Sequence, residues 1–191
     1  MEILLASNSP RRKELLRNLG YDFRAVAIDC DETFPDELPP CDVAAYLSRL
    51  KSDSFGTLKE NQVLITADTV VVLDNQILGK PKDEQDAFRM IRNLSGKKHQ
   101  VFTAITVRTP VETITETDVA IVEFSDMTDE EIQYYIQHFK PFDKAGSYGI
   151  QEWLGMAKIS KIEGNFYTIM GLPTHLLYQI LKMQEAKLFI K

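Results

Sequence analysis

The chain has 191 residues, 44% of them hydrophobic, and a formal net charge of −6. That is enough for one sizeable α/β domain over residues 1–191 with a real core. The acidic balance excludes a general nucleic-acid binder, so any anion must be met by cations gathered locally. Cys30 and Cys41 lack metal-ligand spacing and read as free thiols in a reducing compartment rather than a disulfide. Met1 to Ala6 is too short for a signal peptide and has no basic leader. No apolar run is long enough to span a membrane, and the expected location is cytoplasmic.

Glu2 to Ala6 is a short apolar run and predicts a buried strand. Ser9-Pro10 predicts a helix start, with Ser9 as N-cap and Pro10 at the first helical position. Leu15, Leu16 and Leu19 form the buried face, and Gly20 ends the helix. Arg11, Arg12 and Lys13 then fall in the first turn, where the helix dipole disfavours cations. An anion held by the Ser7 and Ser9 hydroxyls, backbone N–H groups and two guanidiniums would account for them. A solvated basic turn accounts for them equally well.

Tyr21 to Ile28 predicts a second strand, followed by an acidic loop over residues 29–37. Asp42 to Phe55 predicts a helix capped by Asp42, with Val43, Leu47, Leu50 and Ser54 on one face and Lys51 among its residues. Val63 to Leu73, dominated by Val, Ile and Thr, predicts a central buried strand. Asp68 interrupts it, and a carboxylate there is costly unless paired or bound to a cation. Asp74-Asn75 predicts a tight hairpin turn into Gln76-Ile77-Leu78. Gly79-Lys80-Pro81 places Lys80 in a tight loop that lacks the features of a Walker A motif.

Asp83 to Leu94 predicts a helix with Ala87, Met90, Ile91 and Leu94 inward, ended at Gly96. His99 to Arg108 and Glu112 to Phe124 predict an antiparallel pair, and His99 reads as structural rather than catalytic. Thr128 to Glu131 is a capping box opening a helix with Ile132, Tyr135, Ile136 and Phe139 inward. Lys140 to Gln151 is a turn-rich loop carrying Asp143 and Lys144, either an ordinary loop or a place for binding residues. Met156 to Ile162 predicts a strand, Glu163-Gly164 a turn, and Asn165 to Met170 a returning strand. Pro173 opens a final helix with Leu176, Leu177, Ile180 and Leu181 buried.

Ser7-Asn8-Ser9-Pro10-Arg11-Arg12 with Glu14-Leu15-Leu16 resembles the signature of the Maf family of nucleoside triphosphate pyrophosphatases, also called septum formation inhibitors. Thr66 to Val71, Leu78 to Pro81, Leu94 to Thr103, Asp143 to Gln151 and Gly171-Leu172-Pro173 follow in the family's order, over essentially the whole chain. The resemblance implies a mixed α/β sheet with flanking helices in two lobes around a central cleft, as in the ITPase-like folds. It implies Ser7, Arg12, Lys51 and Lys80 as substrate-binding residues. It also implies Glu32, with Asp31 as the neighbouring ambiguity, as a metal ligand together with Asp68. Within the family, the subgroup acting on dTTP and UTP is similar at Arg11, Thr69 and Gln151, which implies a role in specificity. A homodimer is typical of the family.

Cations with carboxylates suggest a polyphosphate bridged to the protein by a divalent metal, Mg²⁺ by default and Mn²⁺ as the substitute. The implied reaction is hydrolysis of a nucleoside triphosphate to the monophosphate and pyrophosphate, a house-cleaning of nucleotide pools. Asp68 either activates water or holds the metal that does. The expected partner is thus a nucleoside triphosphate, with no nucleic acid and no membrane. The alternative is a nucleotide-sensing regulator linked to septum formation and cell division, which would bind the same ligand without turnover. A phosphotransferase would need an acceptor site, and nothing in the chain suggests one.

Overall fold

A computed structural model describes residues 1–188 as mixed α/β. The strands β1 (Glu2–Leu5), β2 (Phe23–Ala25), β3 (Gln62–Leu73), β4 (Gln76–Leu78), β5 (Lys98–Arg108), β6 (Thr113–Phe124) and β7 (Ile159–Glu163) stand in the order β2-β1-β3-β5-β6-β7 along the sheet, with β4 paired to β3. The chain divides into two compact units: residues 1–68, 103–118 and 171–191 form the first, and residues 69–102 and 119–170 the second.

The first unit begins with β1 (Glu2–Leu5), α1 (Pro10–Asn18) and β2 (Phe23–Ala25). β1 pairs in parallel with both β2 and β3 (Gln62–Leu73), with Ile3 opposite Phe23 on one side and Val63 on the other. Parallel neighbours need a crossover, and α1 supplies it. Leu4 and Leu5 are fully buried between these neighbours, as a strand covered on both faces requires. Ser9 caps α1 as expected, with Pro10 at its start. Leu19 and Gly20 close it by donating backbone N–H bonds to Leu15 and Arg17, and Gly20 has the positive φ of 86° that suits glycine. α2 (Pro40–Asp53) starts two residues earlier than expected, because the Pro39-Pro40 pair presets the first turn. Asp42 is therefore a first-turn residue and not the cap, and Ser54, expected inward, is exposed. α7 (Thr174–Leu188) ends the unit, with Leu177, Ile180 and Leu181 buried.

The second unit holds the later part of β3, then β4 (Gln76–Leu78), α3 (Glu84–Leu94), the first part of β5 (Lys98–Arg108) and the later part of β6 (Thr113–Phe124). Asp74 and Asn75 both take positive φ in the β3–β4 hairpin, the conformation that a two-residue turn demands. At the β5–β6 connection, which belongs to the first unit, the Thr109 N–H donates to the Glu112 carbonyl. So short a link joins only antiparallel strands. α4 (Asp129–Phe139) opens with the complete Thr128–Glu131 capping box. The core packs Val71, Leu73, Ile91, Leu94, Val122, Phe124, Ile132 and Tyr135 together.

Two predicted strands are helical in part or in whole. Met156 to Ile162 divides into the end of α5 (Trp153–Lys158) and the start of β7 (Ile159–Glu163), while Asn165 to Met170 contains α6 (Phe166–Met170). Helices of 6 and 5 residues are too short to show a 3.6-residue period, so alternation misleads there.

Candidate active site

The first unit gathers most of the predicted site residues. Ser7, at the end of the buried run that includes β1, accepts the Ser9 backbone N–H at 3.2 Å, and Ser9 accepts the Arg12 backbone N–H at 3.4 Å. The two hydroxyls therefore hold the entry to α1. No acidic residue stands in that first turn, and Arg11 and Arg12 are half-buried.

Arg12 reaches away from its own helix. Its Nε donates to the Gly171 carbonyl at 2.7 Å and its Nη1 to the Ala67 carbonyl at 2.9 Å. The guanidinium thus ties α1 to the strand residue beside Asp68. Burial pushes the Arg12 guanidinium below its ordinary value, while the charges of Asp68 and Glu32 oppose that shift.

Asp68 lies on β3 and is buried. Lys51, in the last turn of α2, places its Nζ 2.6 Å from Asp68 Oδ1 and 3.0 Å from Glu32 Oε2. The Lys51 and Asp68 side chains are 14% and 11% exposed, whereas that of Glu32 is 50% exposed. The pairing offsets part of the cost of burying Asp68. Glu32 comes from the acidic loop, which brings its carboxylate to Lys51.

A buried hydroxyl clasp sets this arrangement, and the sequence reading missed it. Thr66 Oγ1 donates to the Ser48 carbonyl at 2.7 Å, and Ser48 Oγ donates to Thr106 Oγ1 at 2.9 Å. Ser48 precedes Lys51 by one helical turn, and Thr66 precedes Asp68 on the same strand face. The available signal was a serine inside the apolar stripe of α2, beside Val43, Ala44 and Leu47.

Thr69, Lys80 and Gln151 belong to the second unit. Thr69 follows Asp68 along β3 and is half-buried, Lys80 is exposed in the loop after β4, and Gln151 is exposed in the turn before α5. Asp143 and Lys144, candidate binding residues of the long loop, form an ion pair at 2.8 Å, and Lys144 is buried. Lys144 Nζ also lies 3.1 Å from Glu152 Oε1. His99 is structural, as expected: its Nε2 lies 2.7 Å from the Tyr148 hydroxyl and its ring stacks on Phe124.

Within one unit, then, two carboxylates share one ammonium at the middle of β3, and Arg12 from the first turn of α1 binds the carbonyl of the preceding residue, Ala67. This is an α/β protein whose first unit gathers cations and carboxylates around a buried strand aspartate. The Maf-like protein family model matches residues 2–184, and the chain belongs to that family. It is 48% identical over 185 residues to the dTTP/UTP pyrophosphatase of Porphyromonas gingivalis, covering 95% of this chain and 93% of that protein. It is 46% identical over 183 residues to the dTTP/UTP pyrophosphatase of Bacteroides thetaiotaomicron, covering 95% of each. The dTTP/UTP pyrophosphatase of Flavobacterium johnsoniae is 44% identical over 181 residues, 94% of this chain and 93% of that protein. A looser likeness, with a TM-score of 0.49 at 18% identity, covers 66% of this chain and 73% of the Staphylococcus aureus Ham1 protein.

Proposed function

We infer that this protein hydrolyses nucleoside triphosphates, dTTP and UTP foremost, to the monophosphate and pyrophosphate, acting as one functional domain on cytoplasmic nucleotide pools. The family model, which spans both units, supports the single domain. Relatives at 44–48% identity bearing the name dTTP/UTP pyrophosphatase support the reaction and its substrates. Among the described residues, no helix is long and apolar enough to cross a membrane.

The observation that carries the reading is the convergence of Asp68 and Glu32 on one cation, the Lys51 ammonium. Positive charge is favoured there, and the donors are hard oxygens. That fits Mg²⁺ or Mn²⁺, which needs only one or two carboxylates when substrate phosphates complete its shell. Glu32 and Asp68 would hold the ion, which when bound neutralises charge on the triphosphate. Among the described residues no group of three Asp, Glu, His or Cys side chains could hold a metal.

The remaining roles belong to the chain itself. Ser7 and the α1 N-terminus supply hydrogen bonds to phosphate oxygens, and Lys51 and Lys80 supply charge. Arg12, with two donors on backbone carbonyls, combines phosphate binding with alignment of the strand beside Asp68. Asp68 supplies the negative charge for activating water. Arg11, Thr69 and Gln151 read the base, since a glutamine amide offers a donor and an acceptor to the edge of thymine or uracil.

The test is product analysis with Mg²⁺ across a panel of nucleoside triphosphates. Monophosphate and pyrophosphate from dTTP and UTP are expected. Diphosphate plus orthophosphate would overturn the cleavage assignment, and binding without turnover would restore the regulatory alternative.

A further inference from the structure

The second unit contains a buried polar network that the proposed chemistry does not use. Lys144 is buried and paired with Glu152, whose side chain is 18% exposed. The other oxygen of Glu152 accepts a short hydrogen bond from the Tyr135 hydroxyl. The Tyr135 hydroxyl in turn accepts the Gly149 backbone N–H at 2.9 Å. Glu152 N–H donates to the Gly149 carbonyl at 3.0 Å, which closes residues 149–152 into a turn. Gln151 occupies the third position of that turn.

Gly149 shows how tightly this place is filled. A Cβ built there would stand 2.8 Å from the Glu152 carboxyl carbon and 3.0 Å from Gln151 Nε2. The Gln151 amide therefore folds back over the Gly149 backbone, alongside the carboxylate that Lys144 and Tyr135 hold. An ion pair this buried is weak support for stability, because desolvation consumes most of its attraction. Its value lies in holding one geometry. A turn carried by a single backbone hydrogen bond would let an exposed glutamine sample many positions, and discrimination between bases needs donors and acceptors at fixed places.

We propose that Tyr135, Lys144 and Glu152 are positioning residues for base selection, fixing the 149–152 turn so that the Gln151 amide is presented in one orientation. This rests on Gln151 being a base-reading residue. None of the three touches substrate; they act through the turn.

The experiment measures kcat and KM for UTP and GTP in the wild type, Tyr135→Phe, Gly149→Ala, Gln151→Ala and the double variant Tyr135→Phe/Gln151→Ala, with the Tm of each. Tyr135→Phe removes one oxygen and keeps the ring that stacks on Phe139. It is expected to lower the UTP-to-GTP ratio of kcat/KM roughly fivefold, the scale of one or two lost hydrogen bonds, with kcat on UTP within about twofold. Gly149→Ala is expected to lower the ratio further, and the double variant to match Gln151→Ala alone. If Gln151→Ala changes the ratio while Tyr135→Phe and Gly149→Ala leave it intact, or slow both nucleotides equally, the network is merely structural and the inference falls. If Gln151→Ala leaves the ranking untouched, base reading by Gln151 falls and takes this inference with it.

Discussion

Two lysines in this chain each bridge a more enclosed carboxylate and a more exposed one. Lys51 stands 2.6 Å from Asp68 and 3.0 Å from Glu32, whose side chains are 11% and 50% exposed. Lys144 stands 3.1 Å from Glu152 and 2.8 Å from Asp143, 18% and 55% exposed. The difference is on the far side of the more enclosed carboxylate. Glu152 is also held by the Tyr135 hydroxyl, whereas Asp68 takes its hydrogen bond from Lys51 at Oδ1. The two bridges share residue types and differ in what else holds the more enclosed carboxylate; under the proposed function the first serves the chemistry and the second fixes a turn.

The comparison breaks most cleanly in a pair of variants. Asp68→Asn keeps size and removes charge, so turnover should fall on the order of a hundredfold or more, with nucleotide still bound and Tm little changed. Lys144→Met should do the reverse. It leaves the half-buried Glu152 without its cation, which costs about 2 kcal/mol of stability, while kcat on the preferred nucleotide stays near normal. Steady-state kinetics and denaturant unfolding of both proteins check this. Near-normal turnover in Asp68→Asn would remove that residue from the mechanism, and a large loss of kcat in Lys144→Met would erase the distinction between the two bridges.

A second test sharpens the picture of the second unit as closed. Burial pushes His99 down to about 4 from an ordinary 6.5. Between those values the unfolded chain binds a proton that the native state refuses, so stability falls as pH drops through that window. In full the loss is roughly 3 kcal/mol, and above the ordinary histidine value the contribution is flat. The upper part of that window lies above the usual carboxylate range, so a slope there can be assigned to the histidine. Tm measured against pH should slope there in the wild type and flatten in His99→Gln; equal slopes would place the titration elsewhere.

Much of this was legible from residue order alone. Ser9-Pro10 and Asp74-Asn75 are local signals whose geometry is decided within four residues, and both held. Asp68 was legible because a carboxylate inside an apolar β run violates the pattern around it. Lys144 was visible only as one charge in a polar loop, because its burial depends on Glu152, a residue with no pattern of its own. The double use of Arg12 on the carbonyls of Ala67 and Gly171 was equally hidden, since Gly171 lies 159 positions away. Short helices failed for a different reason: α5 and α6 are set by their surroundings and lack the length to show a period.

The smallest expected effect concerns how the open bridge is aimed. α2 meets β3 at Ser48 and Thr66, and an apolar contact alone would tolerate small slips along the strand. The Ser48–Thr66 clasp does not, because its 2.7 Å hydrogen bond exists in only one register. Lys51 lies three residues beyond Ser48 and Asp68 two beyond Thr66, so a slip there moves the ammonium relative to the carboxylate. Thr66→Val keeps shape and loses the hydroxyl. Stability should fall by about 1 kcal/mol, the net worth of a neutral hydrogen bond. The kcat should fall roughly threefold to tenfold, because small misplacements at a reacting centre are amplified in rate. Thr66→Ser restores the oxygen and should restore kcat even if it leaves a small packing defect. In an Asp68→Asn background, Thr66→Val should add nothing to the lost rate, since the residue through which it acts is already disabled. If Thr66→Val lowers Tm as expected but kcat stays at the wild-type value well below the transition, the clasp holds the fold alone and the aim of Lys51 is set elsewhere.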